Sequence, residues 1–228
     1  MFVEACAVLI TLANLRATRR QHGLEGGHPP SGNCRGNKSD SAGSSQLRLA
    51  ARPGPRLAFI RQYVELRAKR ILDIGCGLGM YVSQFRQFSD DVYGVDIDPD
   101  KIARAGEWLP NLRVAPAEEL PFADDSFDVI LLNEVIEHVD DDRRAISEAH
   151  RVVAPGGHIV VYAPNRLYPF ETHGFFFGGK YHGPCNLPIL ANWVPDFVRN
   201  YFAPHVRIYT QGDVTRLFGA VAHLSWLR

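Results

Sequence analysis

The stretch Arg70-Ile71-Leu72-Asp73-Ile74-Gly75-Cys76-Gly77-Leu78-Gly79 decides the fold class. A short, largely apolar run ends in three glycines at alternate positions. That pattern predicts a buried strand entering a tight turn, with glycine where the backbone must take a positive φ or let a ligand approach. The nicotinamide fingerprint G-x-G-x-x-G does not fit. Counted from Gly75 its last position falls on Met80, and counted from Gly77 it falls on Val82. Asp73 also sets a carboxylate directly before the loop, which is unfavourable beside a pyrophosphate and favourable beside a cationic ligand.

Outward from this loop, short apolar runs alternate with helical patterns. Helices are predicted over Arg56–Arg67, Gly79–Phe88, Asp100–Trp108 and Arg143–Val153, the last placing Ile146, Ala149 and Val153 on one face. Strands are predicted at Arg70–Ile74, Val92–Asp96, Leu112–Ala115, Phe127–Leu132 and Ile159–Ala163, with Pro155-Gly156-Gly157 stopping the chain before the fifth. Continuous apolar strands separated by helices predict an α/β fold, Rossmann-like and doubly wound, with a mostly parallel sheet. Ligands of such sheets bind outside the carboxyl ends of the strands. Asp96 closes the second strand, where an acidic side chain can accept from both hydroxyls of a ribose. The implied ligand carries a ribose and a positive end and needs no phosphate cradle. S-adenosyl-L-methionine meets these conditions.

The segments ILDIGCGLGMY, VYGVDIDPD, AEELPFADDSFDVILLNEVIEHVDD and RVVAPGGHIVVYAPN follow one another within about Arg70 to Asn165. In that order they resemble the motifs of class I S-adenosylmethionine-dependent methyltransferases of the type 11 group, to which ubiquinone-biosynthesis O-methyltransferases are similar. The resemblance implies that Asp73, Gly75, Gly77 and Gly79 line the methionine and ribose portion of the cofactor. It implies that Asp96 holds the ribose, that Ile97 packs on the adenine, and that Ala117 and Glu118 close over the adenine edge. Asn133 would face the methionine end. One position departs from the pattern: Pro116 stands where aspartate is usual, so Glu118 or a backbone carbonyl has to meet the adenine amino group.

His138 is the candidate base, an imidazole of suitable pKa after the fourth strand. Glu134 and Glu137 read as solvated carboxylates at a helix start. Residues 164–210 are rich in aromatics, among them Tyr168, Phe175, Phe176, Phe177, Tyr181 and Trp193. They form either a cap over a hydrophobic or aromatic acceptor, with His173 and Tyr168 as polar contacts, or a satellite core. Beyond them Gln211–Phe218 reads as a helix and Ala220–Trp226 as strand six. The antiparallel strand seven that usually completes such a sheet has no counterpart at this end.

The 228 residues balance 25 Lys and Arg against 25 Asp and Glu, so bulk charge gives no support for a nucleic-acid partner. Cys6, Cys34, Cys76 and Cys185 form no CxxC pair, which argues against zinc and for reduced thiols in a cytoplasmic protein. The apolar run Phe2–Leu15 is too short to span a bilayer, and its arginines follow rather than precede it, so no stable membrane insertion is expected. Residues 1–45, ending in a Gly/Ser/Pro/Asn-rich stretch, are expected to be a disordered or mis-annotated extension, with the methyltransferase domain over 46–228. The expected activity is methyl transfer to a small-molecule acceptor, a hydroxyl slightly favoured, the alternative being a catalytically silent S-adenosylmethionine-binding domain. Oligomeric state is not encoded legibly.

Overall fold

The computed structural model describes residues 5–11, 54–166, 175–177, 180–182, 207–219 and 223–226. Its first strand, β1, is Ala5–Thr11. Then come α1 (Pro55–Ile60), β2 (Ile71–Ile74), α2 (Met80–Phe85), β3 (Val92–Asp96), α3 (Pro99–Gly106), β4 (Leu112–Val114) and β5 (Phe127–Asn133). The chain continues through α4 (Asp142–Val152), β6 (Val153–Pro164), β7 (Phe175–Phe177), β8 (Lys180–His182), α5 (Gln211–Phe218) and β9 (His223–Trp226).

Seven of the strands form one sheet in the order β4-β3-β2-β5-β6-β1-β9. From β4 to β6 all pairings are parallel, as expected for a Rossmann-like α/β fold, and β1 runs antiparallel between β6 and β9. Strands β7 and β8 pair with each other in a separate antiparallel ribbon. The parallel strands have core on both faces. Leu57, Ile60, Phe85, Val92, Ile102 and Leu131 pack on one side, and Phe127, Ile130, Leu132, Ile146, Val161 and Phe218 on the other. That double burial explains why these strands read as unbroken apolar runs.

Local signals fix the helix starts. Asp98 accepts from Asp100 and Lys101 N–H ahead of α3 with Pro99 as its first residue, and Asp141 accepts from Arg144 N–H ahead of α4. Thr210 and Asp213 form a reciprocal capping box on α5. Helix α5 has the predicted bounds, the other four end earlier than predicted, and residues 134–139 make turns rather than the start of a helix. Pro155-Gly156-Gly157 does not stop the chain. It lies inside β6, where a register shift against β5 between Phe127 and Val129 absorbs it.

Strand β1 departs from one expectation and fills a place for which the sequence reading found no strand. Ala5–Thr11 lies within residues 1–45, predicted to be disordered, yet it is a strand hydrogen-bonded on both sides. Seven consecutive residues without a charge are too few to span a bilayer and suit a sheet interior. The antiparallel place next to β6, usual for a seventh strand that the end of this sequence does not offer, is taken by β1. Residues 12–53 and 227–228, and most of 164–210, lie outside the described residues. Among the described residues no helix is long and apolar enough to cross a membrane.

Candidate active site

The loop after β2 shows what each glycine is for. Gly75, Gly77 and Gly79 have φ of 70°, 54° and 77°, a region that L side chains rarely adopt. A Cβ at Gly79 would lie 2.3 Å from Leu109 Cδ1, and one at Gly75 would lie 2.5 Å from Val135 Cγ2. Gly77 has nothing within 4 Å of its would-be Cβ and opens toward a cleft. Its N–H donates to Asp96 Oδ2 at 2.8 Å, while Asp98 N–H donates to Asp96 Oδ1 at 3.0 Å. Two backbone donors therefore hold the Asp96 carboxylate in place, and its remaining lone pairs are available to a pair of hydroxyls.

The cleft has a volume of about 740 Å³ and lies at the carboxyl edge of β2, β3 and β5. That size suits a nucleoside-sized ligand. Gly75, Gly77, Asp96, Ile97, Ala117, Glu118 and His138, all anticipated from sequence, line it together. Ile97 is 71% exposed, an apolar side chain bared on one wall. His138 is exposed at the rim. Glu118 is turned toward the β5–α4 loop, its Oε1 accepting from Asp140 N–H at 2.9 Å and Asp141 N–H at 3.4 Å. Pro116 lines the cleft without an N–H, and its carbonyl accepts from Glu119 N–H at 3.2 Å.

Asp73, Gly79 and Asn133 are not part of that lining. Gly79 packs behind the loop. Asp73 is 2% exposed and its Oδ2 has no hydrogen-bond partner. Burial, reinforced by the nearby Asp96 carboxylate, pushes the Asp73 carboxyl well above the usual carboxylate range. Asn133 Oδ1 accepts from Arg56 Nη1 at 2.7 Å, and Arg56 Nη2 stands 2.9 Å from Glu134 Oε1. The same guanidinium lies 5.1 Å above the Tyr162 ring, whose buried hydroxyl is unpartnered. Arg56 and Tyr162 were not anticipated. The sequence signal for them is faint: an arginine at a helix start, and a polar-tipped aromatic late in an apolar strand.

Glu137 corrects its expectation. Predicted to be solvated, it is 2% exposed with neither oxygen hydrogen-bonded as an acceptor. Burial pushes its carboxyl up to about 9, and the neighbouring Glu134 carboxyl adds to the rise. With its carboxyl raised that far, Glu137 stays neutral near pH 7. Cys76 is likewise inert: burial first, then Asp73, pushes its thiol up to about 12. Among the described residues no cluster of His, Cys, Asp or Glu could hold a metal ion.

These groups suit one ligand chemistry. An unpartnered buried acid (Asp73) suits an ammonium, and a guanidinium (Arg56) suits a carboxylate, the two charged groups of an amino acid. An anchored carboxylate (Asp96) suits a ribose, and a bare isoleucine suits a flat base. S-adenosyl-L-methionine joins the three.

Comparison with known proteins points the same way. The family model described as "Methyltransferase domain" matches residues 72–161. The chain is 35% identical over 125 residues to norajmaline N-methyltransferase of Rauvolfia serpentina, covering 50% of this chain and 43% of that protein. It is 33% identical over 129 residues to a ubiquinone biosynthesis O-methyltransferase of Mesorhizobium japonicum, covering 49% and 52%. The chain thus spans about half the length of the curated relatives it matches. Its fold is similar to the crystal structure of the YcgJ protein from Bacillus subtilis, with a TM-score of 0.52 and 26% identity over 72% of this chain and 66% of that one. Residues 72–161 are a class I methyltransferase domain of the type 11 group, a class that takes S-adenosyl-L-methionine as its methyl donor.

Proposed function

We propose that the chain is an enzyme that transfers a methyl group from S-adenosyl-L-methionine to a small-molecule acceptor, a hydroxyl ahead of an amine. The observation that carries this reading is the single cleft in which an anchored Asp96, the open backbone of Gly77, the bare Ile97 and His138 meet. The two curated relatives support a small-molecule acceptor, since one is named for an alkaloid and the other for quinone synthesis. They divide between nitrogen and oxygen. The hydroxyl is favoured by His138, because an alcohol or phenol must lose a proton that an amine can shed more easily. The aromatic-rich stretch 164–210 supports a hydrophobic or aromatic acceptor.

When bound, the cofactor supplies an electrophilic methyl group. The chain's own residues do the rest. Asp96 would accept from the ribose hydroxyls, Asp73 would take the ammonium, and Arg56 would meet the carboxylate. Held this way, donor and acceptor meet in line, an alignment worth up to about 7–11 kcal/mol in favourable cases. His138 takes the acceptor's proton on an imidazole nitrogen.

Calorimetric titration with S-adenosylmethionine and S-adenosylhomocysteine tests the site. Asp96→Ala is expected to weaken both by about 1–3 kcal/mol, the usual cost of losing hydrogen bonds to a charged group. No binding by the folded wild type would refute the reading. Saturable binding without turnover of any hydroxyl or amine acceptor would instead favour a silent binding domain. That second reading has its own support in Pro116, which presents no carboxylate to an adenine amino group while Glu118 is tied to the loop.

A further inference from the structure

The cleft's outer wall is the loop between β5 and α4, which brings His138, Val139, Asp140 and Asp141 to the ligand side. Its backbone is held from behind by two residues more than sixty positions later in the chain. Arg207 N–H donates to Glu137 O at 3.2 Å, and the Arg207 guanidinium donates to Val139 O and, at 2.9 Å, to Asp140 O. The Tyr209 hydroxyl lies 2.8 Å from Ile136 O and 3.0 Å from Asp142 Oδ2, one proton shared between two acceptors. Burial first, and then the Asp142 carboxylate, pushes the Tyr209 phenol up, so it remains a donor throughout the working pH range.

Tyr209 is itself pinned. It is 4% exposed, its N–H donates to Pro164 O at 3.0 Å, and its carbonyl accepts from Arg166 N–H at 3.0 Å. A rigid path therefore runs from the end of β6 through Tyr209 to the loop. From the ligand side Glu118 binds the same loop through the Asp140 and Asp141 N–H groups. Loop carbonyls with no partner in the sheet would otherwise turn to solvent and let the wall drift.

We propose that Arg207 and Tyr209 are positioning residues for the cofactor cleft, setting the loop that carries His138 through its backbone carbonyls. The inference rests on the reading of the cleft as the cofactor site. It makes cofactor affinity and the titration of His138 depend on residues that no contact with the ligand would reveal.

Tyr209→Phe removes the shared proton and keeps the ring. Arg207→Ala changes an exposed side chain and leaves the core intact, so at least one of the two variants folds. Thr210→Ala is the control, since it removes the α5 cap without touching the loop. Amide hydrogen exchange of residues 136–141 in the ligand-free full chain should accelerate about tenfold in the first two variants and stay near wild type in the control. S-adenosylhomocysteine binding should weaken about 5–30-fold in the first two only. The acidic limb of the pH–rate profile should also move with them. Unchanged loop exchange in both variants, or a control that loosens the loop and weakens binding equally, overturns the proposal. If wild type binds no S-adenosylhomocysteine, the reading of the cleft falls by itself, and loop exchange still decides whether these residues set the wall.

Discussion

Asp73→Asn should gain stability over wild type as pH rises and be a poorer cofactor binder. Asp73 is 2% exposed, with Oδ2 unpartnered and its carboxyl raised by burial and by Asp96. A raised folded-state pKa gives a definite sign. The group's contribution to stability is whole below the unfolded value of about 3.9 and is lost as pH rises through the folded value. Asparagine keeps the shape and does not titrate, so its advantage over wild type should grow across that window. The gain should therefore be larger near pH 8 than near pH 5, whatever constant offset the amide's own burial adds. Binding moves the other way. A hydrogen bond from an ammonium to a carboxylate is worth about 1.5–3 kcal/mol, so S-adenosylhomocysteine should bind roughly 10–100-fold more weakly. Wild type should also release a proton on binding, because the ammonium drives Asp73 to its carboxylate form, and the variant should release none. Urea unfolding at several pH values reads the first effect. Calorimetry in two buffers of different ionisation enthalpy reads the others. A variant whose stability relative to wild type is the same near pH 8 as near pH 5, with unchanged affinity and the same proton release, would refute the assignment of Asp73 as a buried acid awaiting a cation.

The glycine loop should separate packing from ligand access. Gly79→Ala meets Leu109 at 2.3 Å as well as a positive φ, and should destabilise by about 2–4 kcal/mol. Gly77→Ala meets only the backbone penalty, about 1–2 kcal/mol, yet should impair cofactor binding more, because its Cβ would project into open space beside the cleft; urea midpoints and calorimetry on both variants would show whether the order reverses. Glu137→Gln should gain stability over wild type progressively from about pH 4.5 to about pH 9, the interval between the ordinary and the raised value, and hold that gain above it. A gain that is flat with pH would show that Glu137 is not held neutral by burial.

Much of the parallel sheet was readable because its signals are local. Apolar runs mark β2, β3 and β5 within a residue or two, and the loop glycines mark the turn whichever partner the sheet supplies. Asp96 and Ile97 fell into place for the same reason: once β3 ends where its apolar run ends, they are at the ligand edge. What stayed hidden depends on partners distant in the chain. Nothing within Ala5–Thr11 distinguishes a frayed apolar extension from a strand, because the distinction lies in Cys6 facing Ala163 and Leu9 facing Val160 across the sheet. Glu137 sits in a polar-looking hexapeptide, and only the fold reveals that it points inward while His138 next to it points out. Arg56 reaches Asn133 across 77 residues, a pairing no window of helical periodicity can contain.

The same division explains how the donor end of the site balances its charge. Asp73 and Asp96, like Glu134 and Glu137, would be hard to keep ionised side by side, since like charges in a low-dielectric setting repel strongly. Burial resolves this by splitting the four. Asp73 and Glu137, each 2% exposed, are pushed toward their neutral forms. Asp96 accepts from two backbone N–H groups, and Glu134 is paired with Arg56. The neutral pair differ in turn. Glu137 is raised by burial with the neighbouring Glu134 adding to the rise, whereas Asp73 is raised by burial with Asp96 adding to it. Both buried acids keep unpartnered oxygens, but it is Asp73 that stands directly before the glycines that open the cleft, where a cation from outside would complete it.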